Sequence, residues 1–216
     1  MITTTIARKL AMALSGLFLI LFLGQHFTIN MTSVFSEKTF NFLSHFMGNN
    51  LVVQFILQPL LILGVVFHFV MGFVLEIKNT RSRSVKYQSY KGSANASWVS
   101  RNMIISGIVV LSFLGLHFYD FWVPEINYKY IEFLPQDPDR YYGELVHKFH
   151  SPFRVAIYAL SFVFLSLHLF HGFSSSFQSM GLNNKYTRGI KLFTVAFSLV
   201  IPAGFIFIAI FHHQNG

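Results

Sequence analysis

Five stretches of this chain are each apolar for about 20 residues, the length an α-helix needs to cross the hydrocarbon core of a bilayer. They lie near residues 10–30, 51–77, 103–123, 152–173 and 190–212. Only 11% of the side chains are charged and 53% are hydrophobic, against about 25% charged in ordinary soluble domains. A polar shell cannot be built from so few charges, so lipid must cover much of the surface. The expectation is an all-α membrane protein, a single transmembrane domain over 1–216. The first run is too long for a cleaved signal peptide and no small-residue cleavage site follows it, so it is expected to stay in the mature protein.

Orientation follows from lysine and arginine, which gather in cytoplasmic connections. Arg8 and Lys9 precede the first run; Lys78, Arg81, Arg83, Lys86, Lys91 and Arg101 lie between the second and third; Lys185, Arg188 and Lys191 lie between the fourth and fifth. The other side holds fewer cations, and Glu37, Glu125, Glu132, Asp137, Asp139 and Glu144 offset them. The N-terminus is therefore expected in the cytoplasm of a bacterial cell, with the chain in its inner membrane. The net charge of +8 is read as this orientation signal, not as a nucleic-acid surface. The connection 124–151 carries Tyr128, Tyr130, Tyr141 and Tyr142, which suit a membrane–water interface, and has room for a short surface helix. Residues 184–189 read as a tight inner turn.

The chain contains no cysteine, which excludes disulfides, thiolate-bound zinc, iron–sulfur clusters held by this chain and covalently attached c-type haem. A redox centre would have to hang on histidine or methionine. Histidine does recur in a pattern. Phe22-Leu23-Gly24-Gln25-His26-Phe27 in the first run matches Phe113-Leu114-Gly115-Leu116-His117-Phe118 in the third, and Ser15-Gly16 precedes His26 by the interval at which Ser106-Gly107 precedes His117. His68-Phe69-Val70-Met71-Gly72-Phe73 in the second run parallels His168-Leu169-Phe170-His171-Gly172-Phe173 in the fourth. The chain reads as two copies of one helical hairpin plus a fifth helix, the copies related by an axis along the membrane normal.

Alternating helix direction sorts these histidines by depth. At 1.5 Å per residue, His26 and His117 fall toward the outer leaflet and His68 and His168 toward the inner, about 15 Å apart. A pair of imidazoles on facing helices, with glycine nearby to make room for a macrocycle, suits a b-type haem. Two haem b groups are therefore expected in a bundle of the first four helices. His171 is an alternative to His168; the repeat favours His168, which aligns with His68. His45, His147, His150, His212 and His213 read as solvated or interfacial. Pro202 and Gly204 suggest a kink in the fifth helix, which reads as packing or as the wall of a ligand site.

These residues resemble the five-helix, single-chain, di-haem cytochrome b membrane anchor of succinate dehydrogenase and quinol:fumarate reductase. The likeness covers nearly the whole chain, in helix count, length and one ligand histidine on each of the first four helices. It implies His26 and His117 as ligands of the outer haem and His68 and His168 as ligands of the inner haem. It implies electron transfer between a flavoprotein and an iron–sulfur subunit, docked on the basic cytoplasmic face, and a quinone, menaquinone by the same likeness. The first outer loop is also similar, with Phe40-Asn41 and His45-Phe46-Met47. It departs at Gly48-Asn49-Asn50, where members carry an acidic residue linked to quinol proton exchange. His45, Asn49 and Gln54, polar and near the outer end of the second helix, are the quinone-site candidates.

Two other readings stand beside this one. Di-haem anchors of nitrate reductases, formate dehydrogenases and hydrogenases also hold two haems in few helices, but concentrate ligands on fewer of them. A proton-coupled transporter with a histidine relay is disfavoured, the repeat histidines being read as lacking an acidic partner within their own apolar runs.

Overall fold

The computed structural model describes residues 5–81, 103–182 and 186–216. Arg83, Lys86, Lys91, Arg101 and Lys185, and the start of the turn expected at 184–189, lie outside the described residues. Within them every regular element is helical. Five helices are long and apolar enough to cross a membrane, which makes this a multi-pass membrane protein. They are α1 (Thr5–Phe35), α3 (Val53–Arg81) and α4 (Met103–Ile131), α6 (Pro152–Ser179) and α7 (Thr187–Asn215). Two shorter helices, α2 (Glu37–Asn49) and α5 (Arg140–Phe149), fill the two connections on one side of the bundle, here called the outer side.

Four of the spanning helices cover their expected apolar runs, α3 begins two residues into its own at Val53, and all five continue past the C-terminal end of the run, α4 furthest. Hydropathy marks only the part that faces hydrocarbon, whereas backbone hydrogen bonding continues into the headgroup region. Caps set the boundaries. Ser36 accepts the amide of Thr39 at 3.2 Å to start α2, and Ser151, followed by Pro152 in the first turn, starts α6. Asn50 ends α2 and its Oδ1 takes the amides of Val52 (3.0 Å) and Val53 (3.2 Å), capping α3 as it begins. Gly181, at φ +77°, ends α6 with Leu182 N–H bonded back to Phe177 O at 3.1 Å, a left-handed stop that a side chain would strain.

The first outer connection, read as a loop from sequence, is thus largely the helix α2. Its Phe40 joins the core, and the Asn41 side chain receives the Tyr142 amide (2.7 Å) and donates to Asp139 O (2.9 Å), so α2 fixes the start of α5. That main core lies toward the outer side, where Leu145 and Phe149 of α5 pack on Tyr158 and Phe162 of α6 and Phe205 and Ile208 of α7. A smaller cluster of Ile20, Leu169 and Phe173 joins α1 to α6 further in. α6 is central, touching α7, α4 and α1. α3 is peripheral: it packs on α1 and lightly on α4, and the stretch Gln58–Arg81 has no fully buried residue.

α7 runs unbroken through Pro202. Proline lacks the amide that would bond Ser198 O four residues back, and Ser166 of α6 donates its hydroxyl to that carbonyl at 2.7 Å instead.

Candidate functional site

The repeat histidines meet in two pairs. The rings of His26 (α1) and His117 (α4) have centroids 5.7 Å apart, and those of His68 (α3) and His168 (α6) lie 6.4 Å apart. Each of the four helices contributes one ring.

The levels of the pairs follow from the serines. Ser15 Oγ lies 3.0 Å from His68 Nδ1 and Ser106 Oγ lies 3.3 Å from His168 Nδ1. Ser15 and Ser106 each precede the outer histidine of their own helix by eleven residues, so the two pairs are about 16 Å apart along the bundle. Both hydroxyls also donate backward, to Met12 O and Met103 O, each at 2.9 Å. With their hydrogens so used, the serine oxygens accept from Nδ1–H. This arrangement is that of an Nδ1–H tautomer in each inner ring, which leaves Nε2 as the lone-pair nitrogen. A metal-binding imidazole needs this state, held at its second nitrogen by a neighbouring acceptor.

The glycines lie where the repeat puts them. A Cβ at Gly16 would come 3.4 Å from His68 Cε1, and one at Gly107 would come 3.6 Å from His168 Cε1, so the backbones of α1 and α4 lie directly against the inner rings. Four residues after those rings, a Cβ at Gly72 would lie 3.7 Å from the Met12 methyl and one at Gly172 would lie 2.9 Å from the Met103 methyl. Met12 and Met103 thus belong to the repeat. Their equal spacing from Ser15 and Ser106 was the available signal, and the sequence reading did not use it.

The donor set fits a haem held by two imidazoles. A metal about 2.0–2.1 Å from each of two ring nitrogens puts the ring centroids about 6.3 Å apart, close to both separations seen. In the outer pair, His117 Nδ1 is buried and has no hydrogen-bond partner among the described residues. Among the described residues, His26 has Asn30 Nδ2 near its ring nitrogens, at 3.4 and 3.5 Å. Among the described residues no three His, Asp or Glu side chains converge as ligands of a single ion, so each site offers its imidazole pair and nothing more. The ring that meets His68 is that of His168, and His171 lies half-buried one turn further along α6.

His45, Asn49 and Gln54 line one cavity of about 260 Å³ on the outer side, together with Tyr128, Lys129 and Arg140. Asn49 Nδ2 donates to His45 Nδ1 at 3.1 Å, so Nε2–H is the donor this ring can offer a ligand. Arg140 stacks between Tyr128 and Tyr141, at 4.1 and 4.4 Å from their centroids. It is also paired with Glu125 and with Glu144. Burial opposes the Arg140 charge, but the hydrogen bonds and charges of those glutamates outweigh it and hold the guanidinium above its ordinary range. Burial and the Glu125 charge push the Tyr141 phenol up, with Arg140 pulling it back in part. A second cavity of about 200 Å³, with Ile62, Trp122 and Ile126 on its wall, shares Gln54, Lys129 and Tyr130 with the first.

Glu125 enters this region from α4. A Cβ at Gly48 would lie 3.1 Å from Glu125 Oε1, 3.1 Å from Tyr141 Oη and 3.2 Å from Lys129 Nζ. Another helix thus brings a carboxylate against Gly48. Glu125 was not legible as a site residue, because its approach to Gly48 depends on how α4 packs against α2.

One expectation is corrected. His212 is 1% exposed, neither solvated nor interfacial: its Nε2 lies 2.8 Å from Ser33 Oγ and its ring packs on Tyr142, because α5 folds over the end of α7. The third apolar run contains an acid, Asp120, three residues after His117, and the partners it shows are Tyr158 and Arg154 rather than a histidine. Asp120 is 1% exposed, receives the Tyr158 hydroxyl at 2.8 Å and faces Arg154 Nη2 at 3.4 Å. α7, weighed as a site wall, contributes none of the lining of either cavity.

Comparison with protein-family models, with curated proteins and with solved structures finds no match to this chain.

Proposed function

We propose that this chain is the di-haem cytochrome b anchor of a succinate:quinone oxidoreductase, of the succinate dehydrogenase or quinol:fumarate reductase kind. The observation that carries the reading is the stack of two facing histidine pairs, one ring from each of four helices. His26 and His117 would hold the outer haem, His68 and His168 the inner one. When bound, such groups supply one-electron carriers across the bilayer. The chain's own part is to fix ring orientation through Ser15 and Ser106 and to keep both sites inside the apolar bundle. Anchors that concentrate ligands on fewer helices fit this one-ring-per-helix arrangement less well. A histidine relay would need Asp120 to serve a histidine, and it is engaged by Tyr158 and Arg154.

The outer cavity suits a quinone head. His45 Nε2–H and Lys129 are donors for a quinone oxygen, and Tyr128 offers an aromatic face. The apolar wall of the neighbouring cavity, with Ile62, Trp122 and Ile126, is a way in from lipid. Quinol oxidation there gives up two protons and two electrons. Glu125, paired with Lys129 and Arg140, is a carboxylate near which those protons can pass to the water-facing side. The flavoprotein and iron–sulfur subunits would dock on the opposite, cytoplasmic face, where Lys78 and Arg81 end α3.

Purified protein assayed as the pyridine haemochrome should contain about two b haems per chain, one per imidazole pair. One haem or none would sink the pairing.

A further inference from the structure

Asp120 takes no part in either histidine pair or in the outer cavity, yet it is among the most completely buried side chains of the molecule. It sits in the π-helical segment Phe118–Trp122, which begins directly after His117. Segments of this kind are frequent at functional sites because the wider turn re-aims side chains. Asp120 Oδ2 accepts the Tyr158 hydroxyl, and the Tyr158 ring lies 6.5 Å from the His117 ring. Asp120 Oδ1 accepts no hydrogen bond among the described residues and has only Arg154 Nη2 at 3.4 Å. Arg154 is in the first turn of α6 and its side chain is 29% exposed, against 0% for that of Asp120.

Stability does not explain this pair. Taking a carboxylate out of water costs several kcal/mol per ion, which a long, single-contact ion pair repays poorly, and apolar side chains of the same size often do as well. Ionisable groups kept inside a membrane bundle usually have a functional reason. The arrangement is also directional. The negative end is about 4.5 Å along the helix from His117, and the positive end lies toward the outer surface, where water screens it.

We propose that Asp120, oriented by Tyr158 and Arg154, sets the reduction potential of the centre held by His26 and His117 and holds it below the value the imidazoles alone would give. A fixed negative charge beside a centre that gains an electron destabilises the reduced form, and low local dielectric strengthens the effect. The inner pair, about 20 Å from Asp120 along the bundle, feels the charge far more weakly, because the interaction falls with distance. The inference rests on the haem reading.

The test is a spectroscopic redox titration of purified, haem-loaded protein, resolving the two centres in wild type, Asp120→Asn and Asp120→Glu. The outer centre, identified as the one lost in His26→Ala, should shift upward in Asp120→Asn, and by clearly more than the inner centre. In Asp120→Glu, which keeps the charge, the outer potential should stay near wild type. Should Asp120→Asn fail to load, Asp120→Glu decides: loading with a near-wild-type outer potential supports the charge, and failure like that of Asn overturns it. An unmoved outer potential, or both centres moving together, overturns the inference while leaving two haems and the proposed function intact. Wild-type protein that binds no haem overturns both.

Discussion

Ser15 and Ser106 stand beside Nδ1 of the inner histidines, and their hydroxyls also reach Met12 O and Met103 O, which leaves the oxygens to accept from the rings. Alanine at either position removes the serine acceptor and loosens the hold on the ring. The expected result is inner-haem affinity reduced by about 10–100-fold, the usual effect of losing such a support, with the outer haem retained. His68→Ala or His168→Ala should remove the inner haem outright, whereas His171→Ala should leave the haem count unchanged. Haem titration of the apoprotein, read at the two resolved spectral components, separates these outcomes; loss of haem in His171→Ala but not in His168→Ala would reverse the ligand assignment. The depth of the histidines could be read from the sequence because a helix turns sequence interval into distance at a fixed rise. Burial of His212 could not. It depends on Tyr142 and Ser33, more than 60 residues away along the chain, and an apolar run that ends in His-His looks the same whether or not another helix covers it.

At the scale of elements, α7 shows how a span tolerates an internal proline. Ser166 donates to Ser198 O, the carbonyl that Pro202 cannot serve, so continuity depends on a side chain of the neighbouring helix. Ser166→Ala should destabilise the protein by about 0.6–1.7 kcal/mol, the range of interhelical hydrogen bonds in membranes. In a Pro202→Ala background the same change should cost much less, because residue 202 then bonds Ser198 O itself. Unfolding of the four proteins in a denaturing-detergent titration gives the coupling; equal costs in both backgrounds would contradict the account. Existence and order of the five spans were legible in the hydropathy, since twenty apolar residues have few other solutions. The helical form of residues 37–49 was harder to see, because α2 is short and mixed in polarity, and what stabilises it is Phe40 in the core and Asn41 holding α5. Asp120 was visible as an acid within an apolar run, but its partners lie on α6 and only packing reveals them.

For the whole molecule, the two imidazole levels and the outer cavity make a prediction about the membrane potential. If the proposed function holds, with the dicarboxylate chemistry on the cytoplasmic side and the quinone on the outer side, each electron passed to quinone moves outward, and the protons that form quinol enter from the outer water. Only the electron then crosses the dielectric. With the inside negative, outward electron movement runs with the field, and a charge crossing the full membrane gains about 2.3 kcal/mol per 100 mV. Succinate-to-quinone transfer should therefore slow when the potential is collapsed in sealed vesicles of known orientation, and quinol-to-fumarate transfer should speed up. A quinone site on the inner side would move no net charge across the bilayer and would show neither effect. His26→Ala separates the cases further. It removes an outer ring and leaves the inner pair, so it should stop quinone reduction if the route passes through both levels, while a variant that keeps full activity and an unchanged response to collapse would refute the outer site.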